Sequence, residues 1–99
     1  MFDISLVSKR YFEVKFENGL SLKVEPPKLG VIKKITALSK TRNEDAMDDL
    51  AEAVKMILSK NKNGYKVTDE IIDEIDFDQL NEILTAYFEW LAKTKNTPN

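Results

Sequence analysis

The sequence contains no cysteine and no histidine. Without cysteine there is neither a disulfide framework nor a thiolate metal site, which fits a reducing cytosol. Without histidine the chain lacks the usual general base at neutral pH and the commonest metal ligand, and nothing can supply a histidine-activated nucleophile. The glycines Gly19, Gly30 and Gly64 are scattered, so no glycine-rich loop cradles a phosphate. No apolar run approaches the roughly 20 residues that span a bilayer. The opening M-F-D-I-S-L-V-S-K-R lacks a basic leader ahead of an apolar core, the pattern of a secretory signal. Together these absences predict a soluble, cytoplasmic protein that is not an enzyme, carries no cofactor or metal, and does not enter a membrane.

What is present is ordinary for a globular chain: 42% hydrophobic and 32% charged residues over a length of 99. That length predicts one domain, residues 1–93, with a small core and a frayed tail at 94–99. Self-association is a natural way for so small a core to gain stability. Net charge is −2, but it is unevenly spread. Residues 1–66 hold thirteen Lys/Arg and nine Asp/Glu, whereas residues 67–92 hold eight acids and no base. Phosphate repulsion then opposes docking of the C-terminal third on nucleic acid.

Periodicity predicts an α+β fold. Tyr11-Phe12-Glu13-Val14-Lys15-Phe16 and Leu20-Ser21-Leu22-Lys23-Val24 alternate around Asn18-Gly19, a pair that readily accepts φ > 0, which predicts an N-terminal β-hairpin over 11–24. Phe2-Asp3-Ile4-Ser5-Leu6 alternates too and is a candidate third, edge strand. Pro26-Pro27 is expected to open a helix over about 27–40 carrying Val31, Ile32, Ile35 and Leu38. Asn43 is the expected cap of a second helix, 43–61, with Met47, Leu50, Ala51, Val54, Ile57 and Leu58 on one face and Asn63-Gly64 closing it. Thr68 is placed to cap a short helix, 68–75, and Asp76-x-x-Gln79 reads as a capping box opening the last one, 76–93. The hairpin is thus expected to pack on a bundle of three or four helices. The predicted core is Phe12, Val14, Phe16, Leu22, Ile32, Ile35, Leu50, Val54, Ile57, Leu80, Leu84 and Leu91.

The last helix is the one around which the chain is expected to be organised. At about 100° per residue, Leu80, Leu84, Tyr87 and Leu91 align, Phe77 and Phe88 border them on one side, and Ile83 and Trp90 on the other. The apolar arc is roughly 160° wide, against the roughly 100° of an ordinary surface helix. Either two other elements sandwich it, or one edge meets another molecule. Tyr87, Phe88, Trp90 and Leu91 are therefore the candidate partner-binding residues, since Trp and Tyr dominate interface hot spots. Tyr87 belongs mostly to the core, while Phe88 and Trp90 divide evenly between core and interface.

Other groupings read as structural. Asp73, Asp76, Asp78 and Glu82 lack the alternating oxygen ligands and glycine of a calcium loop and suit the acid-favouring N-termini of two helices. Lys33-Lys34 and Lys40-x-Arg42 have no interleaved aromatics and are followed by Glu44 and Asp45, a solvated face rather than a strand-binding surface.

In the order and texture of its parts the chain resembles the short tail assembly chaperones of long-tailed bacteriophages and related prophages. The similarity lies in the ribbon turn Glu17-Asn18-Gly19-Leu20, the proline-led Glu25-Pro26-Pro27-Lys28-Leu29, and the closing pattern Asp78-Gln79-Leu80-x-x-Ile83-Leu84-x-x-Tyr87-Phe88-Glu89-Trp90-Leu91. The resemblance implies a non-enzymatic role: binding the tape measure protein, keeping it soluble, and helping tail tube protein assemble around it. It also implies self-association into a homo-oligomer, absence from the finished virion and, in many members, a longer form made by translational frameshift. The competing expectation is a small phage-encoded regulator or inhibitor that binds one host protein through the acidic, aromatic-edged last helix.

Overall fold

A computed structural model describes residues 1–6 and 10–93; the expected frayed tail, 94–99, lies outside the described residues. The chain is α+β. An antiparallel hairpin, β1 (Phe12–Lys15) and β2 (Ser21–Val24), is followed by α1 (Leu29–Ser39), α2 (Ala46–Ser59), α3 (Asp69–Asp73) and α4 (Phe77–Ala92). The register pairs Phe12 with Val24 and Val14 with Leu22. Leu22 and Val24 are fully buried, while Glu13, Lys15, Ser21 and Lys23 are exposed, as alternation requires.

The turn around Asn18-Gly19 spans three residues. Phe16 N–H donates to Leu20 O at 2.7 Å and Gly19 N–H to Phe16 O at 3.0 Å, enclosing a three-residue loop. Only Gly19 takes positive φ, at +92°, the arrangement in which a glycine follows a tight turn as a bulge. Asn18 instead accepts from Leu20 N–H through its side chain, at 2.9 Å.

The expected third strand does not form. Ile4–Leu6 is a single 3-10 turn, and Phe2, Ile4 and Leu6 are 78–79% exposed. The place beside β2 is taken by another segment. Glu25 N–H donates to Lys60 O, Lys62 N–H to Lys23 O, and Lys23 N–H to Asn63 Oδ1, all within 2.8–2.9 Å. Residues 60–63 thus strap the outer edge of β2. They also stop α2 at Ser59, short of the expected 61.

Both prolines lie ahead of α1 rather than in its first turn. Proline disfavours helical backbone at the residue before it, so the chain stays extended until Lys28, the N-cap at ψ 158°. Asn43 does not cap α2 either: its Oδ1 accepts from Asp45 N–H in a local turn, and the helix begins at Ala46. Two other caps match the expectation. Thr68 accepts from Ile71 N–H, and Asp76 with Gln79 forms a reciprocal capping box.

The organising helix is α2, not α4. It packs against α1, α3, α4 and β2, and Leu50, Ala53, Val54, Ile57 and Leu58 make it the largest contributor to the core. Of the predicted core, Leu22, Ile35, Leu50, Val54, Ile57 and Leu80 are buried; Phe12, Val14, Phe16, Leu84 and Leu91 pack against it half-buried. Ile32 is half-buried on the flank, because α1 turns Val31, Ile35 and Leu38 inward. Met47 is 63% exposed, being in the first turn of α2 and beyond the reach of its neighbours. Among the described residues no helix is long and apolar enough to cross a membrane.

Leu58 is fully buried, so Leu58→Ala should lower unfolding free energy by about 2–5 kcal/mol. Met47→Ala, at an exposed site, should change it by less than about 0.5 kcal/mol. Urea denaturation of the two variants checks both.

Candidate functional site

The two ends of α4 meet different surroundings, and each is built by the hairpin. At the C-terminal end Tyr87 and Trp90 meet Phe12 of β1, while Phe88 lies against Tyr87 and Leu91 beside Arg10. Tyr87 is 1% exposed; Phe88, Trp90 and Leu91 are half-buried. Phe12 sets its ring edge-on to Tyr87 at 5.5 Å and tilted against Trp90 at 5.7 Å. Phe88 meets Tyr87 edge-on at 5.9 Å. Edge-to-face contacts of this kind add about 0.5–1.5 kcal/mol beyond burial. Tyr87 therefore presents almost nothing outward, while Phe88, Trp90 and Leu91 each keep part of their surface in solvent.

Arg10 completes this end, and sequence reading missed it. Its Nη1 donates to Trp90 O at 2.6 Å and its Nη2 to Leu91 O at 3.2 Å. The guanidinium also lies 4.6 Å from the centroid of the Trp90 ring. One planar cation thus satisfies two terminal helix carbonyls, sits at the negative end of the helix dipole, and covers an indole face. The only hint in the sequence is that α4 ends without a base in its last turn, leaving its carbonyls for a cation from elsewhere.

Burial pushes the Tyr87 hydroxyl up to about 12, from an ordinary 10.0. The phenol is held in its neutral form because the site would poorly solvate a phenolate.

At the N-terminal end of α4 the hairpin stands off, leaving a groove of about 540 Å³. Its apolar floor comes from Val14 and Phe16 of the hairpin, Ile71 and Ile75 at the α3–α4 corner, and Ile83. Its rim holds Glu17, Glu74, Asp76, Asp78 and Glu82, opposed by Lys15 alone. Gln79 Nε2 reaches across to Glu17 Oε2 at 3.2 Å. The acids singled out in the sequence are thereby divided. Asp76 caps α4 and, with Asp78 and Glu82, borders this groove, whereas Asp73 faces a separate polar cleft with Lys55 and Asp69. Lys55 Nζ bonds Asp69 Oδ1 there at 2.7 Å, which raises the lysine pKa from its ordinary value. Among the described residues no three acids converge tightly enough to hold a metal ion.

Comparison of the chain with protein-family models, with curated proteins and with solved structures finds no match.

Two outcomes follow from this geometry. The unfolded phenol of Tyr87 ionises near pH 10 and the folded one near 12, so its contribution is whole below pH 10 and lost as pH rises to 12. Unfolding free energy should fall by up to about 1.4 kcal/mol per pH unit across that window. Tyr87→Phe should flatten that part of the slope, as chemical denaturation at stepped pH will show. Arg10→Ala should cost about 1–2 kcal/mol and speed amide exchange in the last turn of α4. Arg10→Lys should recover less than half of the loss, because an ammonium lacks the two-pronged donor plane.

Proposed function

We propose that this chain is a tail assembly chaperone of the long-tailed phage kind. In this reading it binds the tape measure protein in the bacterial cytoplasm, keeps it soluble, and promotes assembly of tail tube protein around it. It acts as a homo-oligomer and without catalysis. The ribbon, the proline-led segment and the closing acidic-leucine helix carry the resemblance behind this reading.

The observation that supports it best is the incomplete covering of α4. Leu80 and Tyr87 are buried, yet Ile83, Leu84, Phe88, Trp90 and Leu91 remain half-exposed and Phe77 is 47% exposed. An apolar arc buried at Leu80 and Tyr87 and partly open elsewhere suits transient capture of amphipathic partner helices. Repeated weak contacts along one long partner gain strength from the high effective concentration of linked sites.

The test is co-expression with fragments tiling the tape measure protein of the same genome, read by solubility and co-purification. Several fragments should become soluble only with this protein. Phe88→Ala and Trp90→Ala, with their circular dichroism unchanged, should reduce the recovery several-fold. If folded wild-type protein rescues no fragment, the chaperone reading falls and a regulator with one tight host partner replaces it.

A further inference from the structure

We propose that the outer edge of β1, with the groove beside it, docks an extended partner segment in which apolar side chains and flanking Lys or Arg share one face. The inference is independent of the chaperone reading, since it rests on the hairpin edge and its surroundings alone.

The first observation is the direction of the backbone groups. Phe16 bonds Leu20 across the ribbon, and bonded pairs alternate along an antiparallel register. Phe12 and Val14 therefore point their N–H and C=O groups toward Val24 and Leu22, while Glu13 and Lys15 point theirs away from β2. Among the described residues no backbone hydrogen bond reaches those outward groups. The equivalent groups of Lys23 on β2 are occupied by Lys62 and Asn63. The sheet can accept another strand on the β1 side only.

The second observation is what lies beside that edge. A strand added to β1 places every second side chain on the face of Val14 and Phe16, which is the wall of the 540 Å³ groove. Main-chain bonds then give affinity and the pocket gives selectivity, the division of labour in strand addition.

Charge identifies the occupant. Five carboxylates rim the groove against one lysine, and residues 67–92 contain no base. An acidic or neutral segment gains nothing there, whereas Lys or Arg two residues to either side of an apolar anchor reaches Glu17 at one end and Asp78 or Glu82 at the other. The stretch 2–6 of a second copy, with Phe2, Ile4 and Leu6 exposed, alternates suitably but brings Asp3 and no base, so the rim disfavours it.

The probe is a blocked peptide, Lys-Thr-Val-Thr-Leu-Thr-Lys, titrated into the full chain beside a control with both lysines replaced by glutamate. Binding is followed by amide NMR and hydrogen exchange. The lysine peptide should bind at least tenfold tighter than the control, lose affinity with added salt, and slow exchange at the Glu13 and Lys15 amides. Lys15→Pro removes one outward N–H, which an edge strand tolerates, and Glu82→Lys reverses one rim charge. Each variant, still folded, should weaken binding tenfold or more. Equal binding of the control, unchanged exchange at Glu13 and Lys15, or no binding by folded wild-type protein would overturn the proposal. So would concentration-dependent self-association abolished by Lys15→Pro, which assigns the edge to a second copy.

Discussion

A two-stranded ribbon is marginal by itself, and the arrangement of this chain is largely the record of how its ribbon is held. Three supports act on different parts of it. Leu22 and Val24 are fully buried toward α2. The outer edge of β2 is bonded by residues 60–63. Phe12 is locked between Tyr87 and Trp90 at the far end of α4. All three act on β2 or on the start of β1. The later part of β1 and the turn are bridged to α4 by Gln79 Nε2 on Glu17 Oε2, and the groove is the gap beside that bond. Site and scaffold therefore have one cause: the ribbon is fastened at one edge and one end.

The same asymmetry divides α4 into two chemistries. Its last turns are aromatic, packed and tied to the segment before β1 by Arg10, whose two bonds to Trp90 and Leu91 carbonyls bring a cation to a last turn that holds none of its own. Its first turns are acidic and face open space, with Asp76 held in the capping box and Asp78 and Glu82 along the rim. Acids near a helix N-terminus are favoured by the dipole whatever their further use. Placed beside a strand with outward-facing backbone groups, they also create a field that selects cations.

Much of this was legible in the sequence wherever one local rule decided the outcome. Alternation about Asn18-Gly19 specified the hairpin and its buried face, and the spacing of Thr68, Asp76 and Gln79 specified two helix starts that the structure reproduces. Rules failed where a distant partner intervened. Asn63 and Lys62 read as the end of a helix, yet their backbone and side chains serve β2, forty residues away in the case of Asn63. Phe2, Ile4 and Leu6 alternate as a strand would, but Ile4–Leu6 turns as a 3-10 element and the side chains stay in solvent. Arg10 gave no local signal because its partners are eighty residues on. The groove was illegible for a related reason. Its isoleucines are spaced like core residues and pack half-buried against the core, and only the groove beside β1 leaves part of their surface open.

The strap over β2 has a bearing on growth as well as on folding. A sheet with two bare edges is divalent and can propagate copy upon copy without limit, the route to fibrous aggregates. Here residues 60–63 occupy one edge, so the ribbon is monovalent. Two copies meeting through β1 would consume both reactive edges and form a closed, two-fold pair rather than a filament. In polymer terms the loop after α2 is a chain stopper, built into a protein whose remaining edge stays available for a single encounter.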